Sequence, residues 1–168
     1  MREELNIRPV QADDSTRVAE IYNYYVENTI VTFESEPVAP YEFLDRIRAH
    51  PEYLPWYVVE DSGIVVGYCY AAPWKQRSAY GKSIETSIYL DKQACGKGLG
   101  KRAYSFLLAN VDNFHAIMGG IALPNDPSVA LHEALGFQKV AHFKEVGRKF
   151  DRWIDVGYWQ LLPNGMAG

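Results

Sequence analysis

The residues best suited to chemistry lie in two adjoining stretches, SIETSIYL (Ser83 to Leu90) and DKQACGKGLGKRAY (Asp91 to Tyr104). The first stretch alternates apolar and polar residues, which predicts a strand with Glu85 in its middle. A carboxylate there can act as a general base if burial raises its pKa from about 4.3 toward that of the group it deprotonates. The alternative is a solvated carboxylate on an exposed strand face, so the residues alone leave both interpretations open.

The second stretch places Gly96, Gly98 and Gly100 immediately before a predicted helix. The first turn of a helix exposes unpaired N–H groups, and residues without side chains let a phosphate reach them. Two known phosphate loops do not fit. The P-loop requires a glycine where Cys95 stands, and the dinucleotide fingerprint is one residue longer than this glycine spacing. The pattern therefore indicates a phosphate-binding loop of another kind, with a plain glycine-rich connection as the alternative.

A third candidate is His132, in the predicted helix of NDPSVALHEALGF. Asp126 is the expected N-cap of this helix, Pro127 its first residue and Gly136 its end. His132 lies off the apolar stripe, on the side of Ser128. Its usual pKa of about 6.5 suits a proton donor or an assisting base. A surface or capping histidine is the competing interpretation.

The elements that position these residues follow from the periodicity of the whole chain. The predicted order is strand, two helices, three strands, helix, strand, helix and two closing strands, the last two over residues 138–145 and 153–161. The helix after the glycines should carry Leu99, Ala103, Phe106, Leu107 and Val111 on one buried stripe. Because this order needs both hairpins and crossovers, the class is α/β or α+β with a mixed sheet, in a single domain over residues 1–168.

Composition narrows the functional classes. The chain has 168 residues, 17 basic and 21 acidic, for a formal charge of −4, which argues against binding to nucleic acid. No stretch resembles a signal peptide or a membrane span, so we expect a cytoplasmic protein without a membrane partner. Two cysteines, Cys69 and Cys95, indicate neither a disulfide framework nor a zinc site, and no bound metal is expected.

The stretch QACGKG (Gln93 to Gly98) resembles the Q/R-x-x-G-x-G/A signature of the GNAT superfamily of N-acetyltransferases. Four further stretches resemble one branch, the phosphinothricin and methionine sulfoximine N-acetyltransferases. They cover most of the chain from about residue 7 to residue 162 and read IYNYYVENTIVTFESEP, APWKQRSAYGKSIETSIYL, LPNDPSVALHEALGF and RWIDVGYWQ. The resemblance implies the GNAT fold, a mixed central sheet of about seven strands flanked by about four helices, with acetyl-CoA as co-substrate.

The resemblance also implies roles for individual residues. Glu85 matches the family's base, and His132 takes the place of a proton donor to the departing thiolate. A backbone N–H between Ser87 and Leu90 would face the thioester oxygen. The coenzyme would be held by Ile88, Tyr89, Leu90, Gln93, Gly96, Lys97, Gly98, Leu99, Gly100, Lys101, Asn125 and Ser128. The amino-acid substrate would contact Phe33, Lys75, Arg77 and Ser87, with Arg148 and Lys149 as further charges in the closing turn.

The reaction implied is acetylation of the α-amino group of a small amino acid, by direct attack in a ternary complex. Relatives of this type are mostly homodimers, and the aromatic tail around Trp153, Tyr158 and Trp159 is a candidate part of the interface. Two alternatives remain at this point. One is an acetyltransferase for protein or peptide amines, and the other is a non-catalytic acyl-CoA-binding sensor, which would need the glycine loop but not Glu85.

Overall fold

A computed structural model describes residues 4–165, so residues 1–3 and 166–168 of the expected domain lie outside it. Within the described range the chain forms seven strands and four α-helices in the order that the sequence predicts. The strands are β1 (Leu5–Pro9), β2 (Trp56–Asp61), β3 (Ile64–Pro73), β4 (Ser83–Leu90), β5 (Ala116–Leu123), β6 (Gln138–Lys149) and β7 (Arg152–Leu161). The helices are α1 (Ser15–Asn28), α2 (Pro40–Ala49), α3 (Leu99–Ala109) and α4 (Asp126–Ala134).

The seven strands form one mixed sheet in the order β1-β2-β3-β4-β5-β7-β6. Among the strands of residues 4–165, only β4 and β5 pair in parallel, and α3 makes the crossover between them. The predicted mixed sheet is therefore confirmed. The prediction for the first closing strand was too short, because β6 continues past residue 145 to Lys149. The pairing register of β6 shifts between Phe143 and Gly147, with Glu145 at φ 53°, and this irregularity hides the alternation in the sequence.

The helices cover the sheet on both faces. One buried cluster packs α1 and α2 against β2 and β3, and the other packs α3 against the inner strands on the opposite face. The predicted stripe of α3 needs two corrections, the first of which is that the helix ends at Ala109 and leaves Val111 outside it. Phe106 is 39% exposed, whereas Tyr104, which the stripe omitted, is fully buried. The inward face of the helix therefore runs through Ala103, Tyr104 and Leu107.

The sheet opens at its centre. The parallel ladder between β4 and β5 pairs only Ser83 to Glu85 of β4 with Ala116 to Met118 of β5. Beyond Glu85 no further β4–β5 pair is found within residues 4–165, although both strands continue. The gap exposes backbone groups of β4 that a sheet would normally pair. Several of the candidate functional residues border this gap.

Candidate active site

The glycine loop joins the open end of β4 to α3. Its start is fixed by Asp91, whose carboxylate accepts the N–H of Gln93 at 2.9 Å and pairs with Arg17 at 2.5 Å. Gly96 and Gly98 have φ of +80° and +77°, a backbone conformation that residues with a side chain rarely adopt. A Cβ at either position would meet nothing within 4 Å, so backbone conformation rather than crowding requires these two glycines.

The third glycine has a different reason. Gly100 lies in the first turn of α3, where a Cβ would stand 3.3 Å from Cδ1 of Leu90. Its absence lets the start of α3 pack closely on the end of β4. Gly98 is the N-cap of α3 and has no side chain to bond the first-turn N–H groups. Those groups are therefore free to hold a phosphate, with the exposed Lys97 and Lys101 beside them.

Glu85 is the last residue of β4 in the paired part of the ladder, opposite Met118. Its side chain points to the α1–α2 face, where Oε1 would stand 3.1 Å from a Cβ built on Gly120. Burial raises the pKa of Glu85 above its usual value, and the positive charge of Lys75 opposes part of that rise. The carboxyl is thus only partly exposed, and its raised pKa brings its proton affinity closer to that of an amine.

His132 lies on the other face of the sheet, behind the same gap. It is 5% exposed, so the alternative of a surface histidine is wrong. Its Nδ1 lies 2.8 Å from the carbonyl oxygen of Ser128, and its Nε2 lies 3.0 Å from the hydroxyl of Tyr104. Burial lowers the pKa of His132, and the hydrogen bond to Ser128 opposes that change. Burial therefore favours the neutral form of the ring over the imidazolium.

The two faces meet in a small cavity of about 60 Å³ within the gap. This cavity has room for a reacting group rather than for a whole substrate. Side chains from β4, α3, β5 and α4 with its cap border it, among them Thr86, Ser87, Tyr104, Asn125 and His132. The candidate acid and several predicted coenzyme residues are thus brought to one place, although they are far apart in the sequence.

Asn125 and Ser128 stand at the start of α4. The Asn125 side chain accepts the N–H of Ser128 at 3.3 Å and so caps the helix. The cap was expected at Asp126 with Pro127 as the first residue, but the helix starts one residue earlier, because the Asn125 side chain reaches the N–H of Ser128. Both residues border the small cavity, which fits their predicted role toward the coenzyme.

Two consecutive glycines in β5 make room for both candidate groups. A Cβ on Gly119 would stand 2.6 Å from Nε2 of His132, so no side chain fits there without moving the imidazole. A Cβ on Gly120 would crowd Glu85 on the opposite face and would stand 3.2 Å from the ring of Tyr158. Glycine inside a strand commonly marks such a close approach. The paired glycines of AIMGGIAL are therefore a signal in the sequence for this close approach.

A second, more open cleft of about 230 Å³ adjoins the small cavity on the α1–α2 face. Phe33, Glu85, Ser87 and Tyr158 are among the residues that line it. Phe33 is 44% exposed and its ring lies over Gly147, where a Cβ would come within 2.4 Å of it. Phe33 is therefore not part of the core, and its position fits the predicted wall of a substrate pocket.

The remaining predicted charges are not all brought to this cleft. Lys75 is exposed but near enough to affect the pKa of Glu85, whereas Arg77 is exposed and lines neither cavity. Lys149 is 6% exposed, and its ammonium group donates to the carbonyl oxygen of Thr32 at 2.8 Å. Lys149 therefore stabilises the segment that carries Phe33.

Sequence reasoning missed several residues around the gap. Thr86 and Tyr104 lie within hydrogen-bonding distance of each other, and Tyr158 faces Glu85 across Gly120. Burial, with a smaller contribution from Glu85, raises the pKa of Tyr158. No spacing in the sequence marks these residues, because each comes from a different element. Their roles depend on the fold alone.

Within residues 4–165, no three His, Cys, Asp or Glu side chains form a group that could hold a metal ion. No helix in the same range is long and apolar enough to span a membrane.

Comparison with known proteins gives a consistent result. A model of the acetyltransferase (GNAT) domain matches residues 7–157. A phosphinothricin N-acetyltransferase from Streptomyces viridochromogenes is 40% identical over 161 residues, which cover 95% of this chain and 88% of that protein. An L-methionine sulfoximine/L-methionine sulfone acetyltransferase from Salmonella typhimurium is 32% identical over 160 residues, 94% of each chain. The crystal structure of a phosphinothricin acetyltransferase from Sinorhizobium meliloti in complex with acetyl-CoA superposes with a TM-score of 0.92 at 34% identity, covering 98% of this chain and 91% of that one.

Proposed function

The chain belongs to the GNAT superfamily of N-acetyltransferases, in the branch of the phosphinothricin and methionine sulfoximine enzymes, and we propose that it acetylates the α-amino group of a small amino acid. Phosphinothricin, methionine sulfoximine and methionine sulfone are the substrates that these relatives suggest. One observation supports the proposal most strongly. The half-buried carboxyl of Glu85 faces an open cleft at the point where β4 and β5 separate.

The coenzyme would bind along the loop and the unpaired part of β4. The first-turn N–H groups of α3 are suited to its pyrophosphate, because Gly96 and Gly98 keep side chains away from them. The backbone of Ile88, Tyr89 and Leu90 offers hydrogen-bonding groups to the pantetheine arm. Asn125 and Ser128 face the same gap from α4. When bound, acetyl-CoA supplies the activated acetyl group.

Glu85 is the proposed general base. An amino-acid ammonium must lose a proton before it can attack, and a carboxyl with a raised pKa accepts that proton more readily, directly or through a water. A backbone N–H between Ser87 and Leu90 would stabilise the negative oxygen of the tetrahedral intermediate. His132 lies on the opposite side of the gap, where the departing sulfur needs a proton.

Transfer is proposed to be direct, without an acyl-enzyme. Cys69 is fully buried, and burial raises the pKa of its thiol to about 12, so it is a poor nucleophile. Cys95 is exposed on the glycine loop and lines neither cavity at the gap. Replacing it by serine should leave kcat unchanged. Initial rates with both substrates varied should give intersecting reciprocal plots.

The substrate would lie in the open cleft, with Phe33 and Ser87 on its walls. Lys75, and from farther away Arg77, would attract the acidic groups of such a substrate.

A homodimer is part of the same proposal, because apolar side chains of β6 and its hairpin are exposed in the single chain. They are Val140, Phe143, Val146, Phe150 and Trp153. Trp159 does not belong to this surface, since it is 2% exposed and lies in the core.

The proposal is tested by following CoA release from acetyl-CoA with phosphinothricin, methionine sulfoximine and methionine sulfone, alongside short peptides with free N-termini. Turnover of one of the three amino acids, well above that of the peptides, supports it. Preferred turnover of a peptide would indicate that the substrate is a protein or peptide amine and not an amino acid. Tight binding of acetyl-CoA without turnover of any amine would indicate the non-catalytic sensor.

A further inference from the structure

Three side chains from three elements form one hydrogen-bonded chain behind the gap. The Thr86 hydroxyl lies 2.6 Å from that of Tyr104, and the Tyr104 hydroxyl lies 3.0 Å from Nε2 of His132. The chain ends where His132 Nδ1 meets the carbonyl oxygen of Ser128 at 2.8 Å. All three side chains are buried, with exposed fractions of 4%, 0% and 5%. All three also border the small cavity.

The final contact fixes the direction of every hydrogen bond. A carbonyl oxygen only accepts, so Nδ1 of His132 must carry a proton and donate it to Ser128. In the neutral ring Nε2 then carries no proton and accepts a hydrogen bond from the Tyr104 hydroxyl. The Tyr104 oxygen in turn accepts a hydrogen bond from the Thr86 hydroxyl. In the neutral state, therefore, the only N–H of His132 is turned away from the cavity.

Protonation of His132 reverses the direction in which the hydroxyl groups of Tyr104 and Thr86 donate their hydrogen bonds. With a proton on Nε2 the ring donates to the Tyr104 oxygen, and the Tyr104 hydroxyl donates to Thr86. The Thr86 hydroxyl is then left with a free O–H at the cavity. The buried network can thus satisfy its hydrogen bonds in both states, and the two states differ in whether Thr86 offers a proton to the cavity.

We propose that Thr86, Tyr104 and His132 form a proton relay in which the Thr86 hydroxyl, rather than the His132 ring, meets the reacting atoms. Thr86 gives its proton to the leaving sulfur and takes one from Tyr104, which takes one from Nε2 of His132. One S–H bond forms, and the imidazolium becomes neutral. The relay is recharged by the reverse shifts, with a proton that the substrate ammonium has released and that reaches Thr86 through the solvent of the cavity. Tyr104 and His132 are positioning residues that act through Thr86.

The location of this relay complements that of Glu85. Thr86 and Glu85 are neighbours in β4, so their side chains point to opposite faces of the sheet. Glu85 would therefore remove a proton on the substrate side, while Thr86 would supply one on the α3–α4 side. The relay rests on the proposed acetyl transfer for its purpose, but its hydrogen-bond order can be tested independently.

A matched pair of variants tests the relay. Thr86→Val keeps the shape but removes the hydroxyl, and Thr86→Ser keeps the hydroxyl. With an accepted amine, Thr86→Val should lower kcat by about 10²-fold, the lower end of the effect of general acids, while KM for acetyl-CoA is unchanged. Thr86→Ser should restore most of the loss. An unchanged kcat in Thr86→Val, or an equal loss in both variants, would overturn the relay.

The order of the chain is tested by ¹⁵N NMR of the histidines in the full-length protein, with His132 assigned from the His132→Gln variant. Neutral His132 should be the Nδ1–H tautomer, and Tyr104→Phe should alter the shift of Nε2. An Nε2–H tautomer in the neutral protein would overturn the relay whatever the activity. If the wild type turns over no amine, the proposed function fails, and the tautomer still decides the order of the chain.

Discussion

At the scale of single residues, Glu85 shows how a fold changes the chemistry of one group. The alternation of SIETSIYL predicted its place in a strand, but not on which face the cleft would lie. The structure supplies the missing part, since burial raises the pKa of this carboxyl and Lys75 limits the rise. A base adjusted in this way is ionised only above its raised pKa, so activity should be lost as the pH falls through that value.

The pH dependence can be tested through Lys75. At a fixed amine, kcat/KM should rise with pH along an acid limb set partly by Glu85. Lys75→Met removes the positive charge that lowers the pKa of Glu85, so the limb should move to higher pH. High salt should reduce the difference, because Lys75 is exposed.

The control for this experiment is Lys82→Met, which removes another exposed lysine just before β4. It should leave the acid limb where the wild type has it. Titration of the amine contributes equally to all three proteins and therefore cancels in the comparison. A limb that moves to lower pH in Lys75→Met, or that moves equally in both variants, would contradict this description of Glu85.

At the scale of elements, β5 separates the two halves of the site by its paired glycines. Gly120→Ala should raise KM for the amino acid, because the new methyl group lies between Glu85 and Tyr158. Gly119→Ala should instead lower kcat and the melting temperature, since a Cβ at 2.6 Å displaces buried His132. Steady-state kinetics and thermal unfolding of the two variants distinguish these effects. The same defect in both variants would show that the two faces are not separate.

A second element, the end of β6, fixes the segment between α1 and α2 that carries Phe33. Lys149 binds the carbonyl oxygens of Thr32 and Tyr25, and Gly147 lies under the Phe33 ring. Lys149→Met should therefore raise KM for the amino acid by about tenfold through misplacement of this wall, with KM for acetyl-CoA unchanged. Lys144→Met, an exposed lysine of the same strand, is the control. Equal KM values for the amino acid in both variants would contradict this role of Lys149.

These elements also show what the sequence could predict. The order of helices and strands could be predicted from the periodicity of the apolar residues, and the glycine loop from three closely spaced glycines before a helix. The full length of β6 could not be predicted, because its register shift breaks the alternation. The partnership of Thr86, Tyr104 and His132 is likewise absent from the sequence, since it depends on three elements that meet only in the folded chain.

At the scale of the whole molecule, the exposed apolar side chains of β6 and its hairpin indicate a surface covered in solution. We expect a homodimer by sedimentation equilibrium. Val146→Lys should dissociate it, because Val146 is 59% exposed in the single chain and would place a charge within the interface. Ile64→Lys, at a site 63% exposed on the β2–β3 turn, should not. A wild-type monomer, or equal dissociation by both variants, would contradict this interface.

The proposed activity divides the work between two parts of the site: the loop and the gap bind acetyl-CoA, and Glu85 activates the amine. The most direct test is Glu85→Gln, compared with wild type and with Glu52→Gln, which changes an exposed carboxylate before β2. With an accepted amino acid, Glu85→Gln should lower kcat by about 10²- to 10⁴-fold while acetyl-CoA binds as before, and Glu52→Gln should match the wild type. Retention of wild-type kcat in Glu85→Gln would contradict the account.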